Sequence, residues 1–239
     1  MSKKPSRLKK YEDAYLDSAD KIFEIHHFDM DQEQRIIYLM GIEDCPDPEY
    51  IEPGVEYRMA NRFIRNINLL SSLDSEKPIL ICMKSCGGDW VEGMAIYDAI
   101  IAAPNPVTIL SYTHARSMTS IILQAANKRV LMPYSTFMFH EGTYGDYGTV
   151  KSVRSAFEFS KLSGEQMLDI YIDVMKSAPH GKARNWSRKR IKEWLINQMN
   201  QKEEVYMTSD EAVAWGFADG VFEGWPEIFN YTQEEILRK

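Results

Sequence analysis

The chain has 239 residues, enough for one sizeable domain with an elaborate extension and a real hydrophobic core. Its net charge of −7 argues against a general nucleic-acid binder, whose footprint would be basic. Hydrophobic residues make up 44% of it and both charge signs are interspersed, which is the balance of a folded globular protein.

Residues 1–30 are polar and charged, with a weak helical pattern over Tyr11–Ile25, and read as a peripheral N-terminal arm. The basic cluster Lys3–Lys10 reads as its solvated tail. The basic N-terminus lacks the apolar core of a signal peptide. No apolar run nears the roughly 18 residues of a membrane span. Cytoplasmic residence is the default expectation.

"RIIYLMG" (35–41) has the signature of a short buried strand ended by Gly41. "CPDPEYIEPGV" (45–55) is a proline-punctuated loop. Met59, Phe63, Ile67 and Leu70 then fall on one helical face. "PILICMKS" (78–85) predicts a second strand, broken by "CGGD". A helix follows through Met94, Tyr97 and Ile101. "VTILSYT" (107–113) predicts a third strand and "SMTSIILQAANK" a helix. "KRVLM" and "STFMFH" are short strands split by Pro133. "EGTYGDYGT" (141–149) reads as a flexible loop.

Residues 150–177 read helical through Val153, Phe157, Leu168, Tyr171 and Met175. Residues 187–200 do so through Ile191, Trp194, Leu195 and Met199, with Trp186 and Trp194 interleaved in the basic cluster Lys182–Lys192. Thr208 and Glu211 have capping-box spacing, opening a short helix that Gly216 stops. "FADGVFE" closes as a strand. Strands alternating with helices predict βαβ units and a mostly parallel α/β sheet.

Three stretches could carry chemistry. The paired glycines of "KSCGGDWVEGMAIYDAI" (84–100) follow a strand and open a helix, so backbone N–H groups there could hold an oxyanion or merely form a turn. The stretch is neither a P-loop nor a GxGxxG fingerprint. Ser117, in "THARSMTSIILQAANKR", stands where a strand gives way to a helix. It is either a nucleophile at the edge of a parallel sheet, where such sheets place their sites, or the N-cap of the helix. A base could come from His26, His27, His114, His140 or His180. Asp98, Glu203 and Glu204 are candidate acids that sequence alone does not rank. The cysteines, Cys45, Cys82 and Cys86, give neither a disulfide framework nor a CxxC metal pair, and read as free thiols in a reducing compartment.

Taken in order, these pieces resemble the ClpP family of self-compartmentalised serine peptidases. "RIIYLMG" is similar to the family's first core strand. "KSCGGDWVEGMAIYDAI" resembles its S-P-G-G-x-x-x-x-G-x-x-I-Y-D segment, with Cys86 in place of proline. "THARSMTSIILQAANKRVLMPYSTFMFHEG" resembles its A-S-M-[GS]-A … P-x-[ST]-x-x-M-x-H-[QE] core. "YMTSDEAVAWGFADGVFE" resembles its closing F-[LM]-[ST]-x-x-E-A-x-x-[YW]-G-[LI]-[VI]-D. The match runs from about residue 33 to 222.

The resemblance implies a crotonase-like superhelix of βαβ units. It also implies one peptidase domain over residues 31–239, with a protruding helix-and-strand handle over 142–200. It makes Ser117 the nucleophile, His140 the general base and Glu204 the third triad member, where the family has aspartate. It assigns the oxyanion hole to the Gly88 and Met118 N–H groups, with Gly87 supporting the turn. Thr119 stands where the family has a smaller residue, which suggests a narrowed cleft.

The implied reaction is hydrolysis of peptide bonds in peptides or proteins, without metal or organic cofactor. The implied assembly is a homo-oligomer of heptameric rings stacked in pairs, fed by a separate ATP-driven unfoldase, with no nucleic-acid or membrane partner. Three rival readings exist. One is a non-catalytic ring subunit and one a crotonase-type acyl-CoA enzyme. The third is a specialised peptidase that works without an unfoldase.

Overall fold

A computed structural model describes residues 7–41 and 54–236. Cys45, the proline-punctuated loop as far as residue 53 and the first residues of the basic tail lie outside them. The chain opens with a 22-residue helix, α1 (Arg7–Phe28), where the sequence predicted a weaker one. A two-residue strand β1 (Met30–Asp31) turns antiparallel onto β2 (Ile36–Met40).

From β2 the sheet grows by parallel crossovers. The successive strands are β3 (Ile79–Ser85), β4 (Val107–Arg116), β5 (Lys128–Leu131) and β8 (Gly220–Val221), in spatial order β1-β2-β3-β4-β5-β8. The helices between them are α2 (Tyr57–Leu73), α3 (Trp90–Ala102) and α4 (Met118–Ile122), the last running into a short 3-10 turn. Glu56 caps α2 by accepting from the Met59 and Arg58 N–H groups. The predicted face Met59, Phe63, Ile67 and Leu70 is buried. Each of these side chains contributes about 2 kcal/mol on leaving water.

Helix α3 departs from its predicted phase. Met94 and Tyr97 are half-buried and Ile101 is exposed, whereas Gly93, Ile96 and Ile100 face the core. The reason is steric. A Cβ on Gly93 would stand 2.2 Å from Met118 Cγ, so the glycine lets α3 sit directly on the start of α4.

Strand β4 is the branching point. Thr108–Ser111 pair with β5, while His114–Arg116 pair with β6 (Thr136–Phe139). Between them Thr113 takes φ 58°, an outlier for a β-branched residue, and the strand changes partner there. The strand predicted over 107–113 thus runs three residues further, to Arg116. β6 also pairs antiparallel with β7 (Val205–Thr208). This branch of the one sheet carries the site.

Helix α5 (Val150–Ser177) has two halves. Its second half buries Met167, Leu168, Tyr171, Ile172 and Met175 in the core. Its first half stands away from it, leaving Val150, Phe157, Phe159 and Leu162 exposed. The segment before it, 142–149, forms no strand in this chain. Helix α6 (Arg188–Lys202) buries Ile191, Leu195 and Met199, and Trp194 stacks on Trp215 at 4.0 Å.

Helix α7 (Ser209–Trp215) has the predicted capping box, with Gly216 ending it at φ 89°. The closing strand is only the two residues of β8, and just before it Asp219 donates its N–H to the Arg129 carbonyl and pairs its carboxylate with the Arg129 guanidinium. A C-terminal segment that carried no sequence signal, with helices α8 (Trp225–Ile228) and α9 (Gln233–Ile236), lies over the outer sheet face. Ile228 is buried there with Leu80, Cys82, Leu110 and Val130. Burial pushes the Cys82 thiol up to about 11, so it is a core residue and not a reactive one. Among the described residues no helix is long and apolar enough to cross a membrane.

Candidate active site

Ser117 follows β4 directly, and its N–H bonds the Met138 carbonyl at 3.0 Å, which extends the β4–β6 pairing by one step. Its backbone adopts φ 50°, ψ −125°. That conformation is strained for a non-glycine residue and turns the side chain out of the strand. Ser117 occupies the N-cap position of α4, yet its side chain makes no capping bond. Instead Ser117 Oγ lies 2.8 Å from His140 Nε2. The N-cap reading of this side chain is therefore replaced.

His140 arrives at this point because β6 runs parallel to the end of β4 and His140 is the residue after β6. Of the other histidines, His114 is buried within β4, while His26, His27 and His180 are exposed.

The glycine turn packs against the serine. A Cβ on Gly87 would fall 2.6 Å from Ser117 Cβ and 2.8 Å from the Arg116 carbonyl oxygen. One on Gly88 would fall 2.4 Å from both Val55 N and Val55 O. Gly87 and Gly88 have φ 108° and 144°, so neither position tolerates a side chain. Val55 bridges Gly88 through its neighbours, donating to Gly87 O and accepting from Asp89 N. Among the described residues the Gly88 N–H donates to no protein acceptor. The Met118 N–H, first in α4, has no acceptor within its helix.

We expect Gly87→Ala to lower the reactivity of the Ser117 hydroxyl by about a hundredfold or more, because the methyl must displace the serine backbone. The rate at which a fluorophosphonate modifies Ser117, normalised to folded protein, checks this.

Thr119 does not narrow the cleft. It is fully buried, and its hydroxyl lies 2.8 Å from both the Ser85 and the Arg116 carbonyl oxygens while accepting from the Arg116 N–H. The larger side chain is turned inward and pins the Ser117 turn to β3.

Glu204 precedes β7, and the Phe139↔Val205 register sets it across from His140 when extended by one residue. Opposite residues in antiparallel strands have Cβ atoms about 5 Å apart. The Glu204 carboxylate, however, accepts a 2.7 Å hydrogen bond from the Tyr206 hydroxyl and not from the imidazole. That bond, more than desolvation, raises the Tyr206 phenol above its usual range. The Arg116 guanidinium lies over the Tyr206 ring at 5.4 Å. Glu203 ends α6 at φ 58°, with its N–H on the Met199 carbonyl. Asp98 is exposed on α3.

Tyr206 escaped the sequence reading, although its spacing of two from Glu204 on a strand puts both on one face. Among the described residues no three His, Cys, Asp or Glu side chains come together as metal ligands would.

A model of the Clp protease family matches residues 50–224. The chain belongs to the Clp protease family. Its α/β fold, a central sheet flanked by helices, is that family's. The chain is similar to ATP-dependent Clp protease proteolytic subunit 2 of Thermobifida fusca, at 28% identity over 186 residues, covering 75% of this chain and 82% of that one. It is also similar to the ATP-dependent Clp protease proteolytic subunit of Deinococcus radiodurans, at 29% over 177 residues, covering 73% and 79%. Membership of this family and these relatives support a protease role.

Proposed function

We propose that this Clp-family chain is a serine endopeptidase that hydrolyses peptide bonds within an oligomer of its own copies. The observation that carries the reading is the 2.8 Å contact between Ser117 Oγ and His140 Nε2, made by a serine whose backbone is strained to reach it. His140 takes the hydroxyl proton as Ser117 attacks the carbonyl, and returns it to the leaving amine. The Gly88 and Met118 N–H groups receive the developing oxyanion. Glu204 steadies the imidazolium through the other ring nitrogen once its carboxylate swings from Tyr206 to His140. Water then releases the acyl group by the same route.

The exposed apolar half of α5 suits the assembly, since Val150 and Phe157 on one side and Phe159 and Leu162 on the other favour burial against other copies. The proposed assembly is heptameric rings stacked in pairs, with any unfoldase a separate chain. A native mass of one or two heptamers supports it, and a monomer at micromolar concentration overturns it.

One observation favours a second reading, a ring subunit without activity: the Glu204 carboxylate rests on Tyr206. A fluorophosphonate probe separates the two. We expect it to modify Ser117, mapped by peptide mass. His140→Ala should slow the reaction by at least about a thousandfold. Glu204→Gln should lower turnover by more than about tenfold, and Glu203→Gln by less. A well-folded oligomer that takes no label supports the inactive subunit instead.

A further inference from the structure

The Ser120 hydroxyl, on α4, lies 2.5 Å from the Ser117 carbonyl oxygen and 2.7 Å from the Tyr171 hydroxyl. Ser120 has one proton to give. The carbonyl can only accept, so Ser120 donates to it and must accept from Tyr171. The direction of the relay is thereby fixed, from the Tyr171 hydroxyl to Ser120 and from Ser120 to the Ser117 carbonyl. Tyr171 is 1% exposed, and burial holds its phenol well above the usual range, so it remains a donor. The Ser120 backbone N–H reaches the same carbonyl at 3.0 Å. Two donors therefore converge on one oxygen.

That oxygen belongs to the peptide whose N–H is Met118. The peptide unit is planar and trans, so its C=O and N–H point to opposite edges of one plane. Whatever fixes the Ser117 carbonyl also fixes the direction of the Met118 N–H. Hydrogen bonds in a chain polarise one another, so donation to the carbonyl also makes that N–H a stronger donor.

We propose that Tyr171 and Ser120 are positioning residues, which hold the Ser117–Met118 peptide plane and so aim the Met118 N–H at the oxyanion of acyl transfer. The proposal rests on the reading of Ser117 as nucleophile. The resembling family segment A-S-M-[GS]-A has alanine where this chain has Ser120, and alanine can make neither side-chain bond. The relay also ties the reactive turn to α5, whose outer half leaves the domain.

The test uses the full chain with Ser120→Ala, Tyr171→Phe and the double variant. Tyr171→Phe keeps the ring that packs on Phe137 and Phe217, so it preserves the fold. For each, kcat and KM are measured on an activated peptide ester, together with the rate of Ser117 phosphonylation. We expect Ser120→Ala to lower kcat and the phosphonylation rate by roughly tenfold, with KM within about twofold, because an oxyanion donor acts in the transition state. Tyr171→Phe should lower both by roughly threefold. The double variant should match Ser120→Ala, since Tyr171 reaches the carbonyl only through Ser120. Unchanged kcat in all three variants, with the wild type labelled at Ser117, overturns the relay and leaves the nucleophile reading intact. A rise in KM at constant kcat also overturns it. A wild type that takes no label at Ser117 overturns both.

Discussion

Ser117→Ala is expected to abolish peptide-ester hydrolysis, with a loss of at least about 10⁴-fold, while the protein keeps its fold and its assembly. The size follows from what is removed. A nucleophile and its base act as one unit, and without the serine only binding and oxyanion stabilisation remain to favour attack by water. The fold survives because the hydroxyl makes no helix-capping bond, and its contact is to His140 at the site. The strained turn is held by other groups: Thr119 from below, Ser120 from the carbonyl side, and the ladder bond from Ser117 N–H to the Met138 carbonyl. Turnover and thermal unfolding measured on the same preparation check this. Retained full activity in the variant would sink the assignment of Ser117.

That independence of side chain and scaffold bears on what the sequence could reveal. The buried strands were legible because a continuous apolar run bounded by glycine or proline has few other uses, as in "PILICMKS". The capping box of α7 was legible because both of its partners lie within four residues. Helix α3 was misphased because it is apolar nearly all round, and the deciding contact, Gly93 on Met118, comes from another element. The last three residues of β4, His114–Arg116, lay beyond the predicted strand because they pair with β6, a partner about 20 residues on.

The site divides along the same line. The residues alone left Ser117 between nucleophile and N-cap and offered five histidines, and the family resemblance singled out Ser117, His140 and the glycine turn. The inward turn of Thr119 onto Ser85 and the Tyr171 relay join groups distant in sequence, whereas the Tyr206 bond to Glu204 spans only two residues and was missed there. A hydroxyl in a sequence does not disclose which carbonyl it will find. The positive φ of Ser117 is equally silent, since serine carries no signature for it.

The largest expected loss of stability lies behind the site, at Arg129. This side chain is fully buried. Its Nε and backbone N–H donate to one Asp219 oxygen and its Nη2 to the other, while Nη1 donates to Gln124 Oε1 and the Gly216 carbonyl. The β5–β8 ladder has only two register pairs, Val130↔Gly220 and Leu131↔Val221, so the Arg129–Asp219 pair does much of the work of attaching the closing strand. Gln124 in turn donates to the Ser120 carbonyl, which joins this network to α4.

Asp219→Ala leaves a buried guanidinium without its carboxylate. We expect it to cost about 3 kcal/mol in folding free energy, read as a fall in the urea midpoint. An isolated pair at the surface would give under about 1 kcal/mol. The double variant Arg129→Met, Asp219→Ala should recover part of the loss, because it removes the stranded charge and fills its space with apolar atoms. If the double variant is as unstable as Asp219→Ala, the cost lies in the lost hydrogen bonds to β8 and not in an unpaired charge.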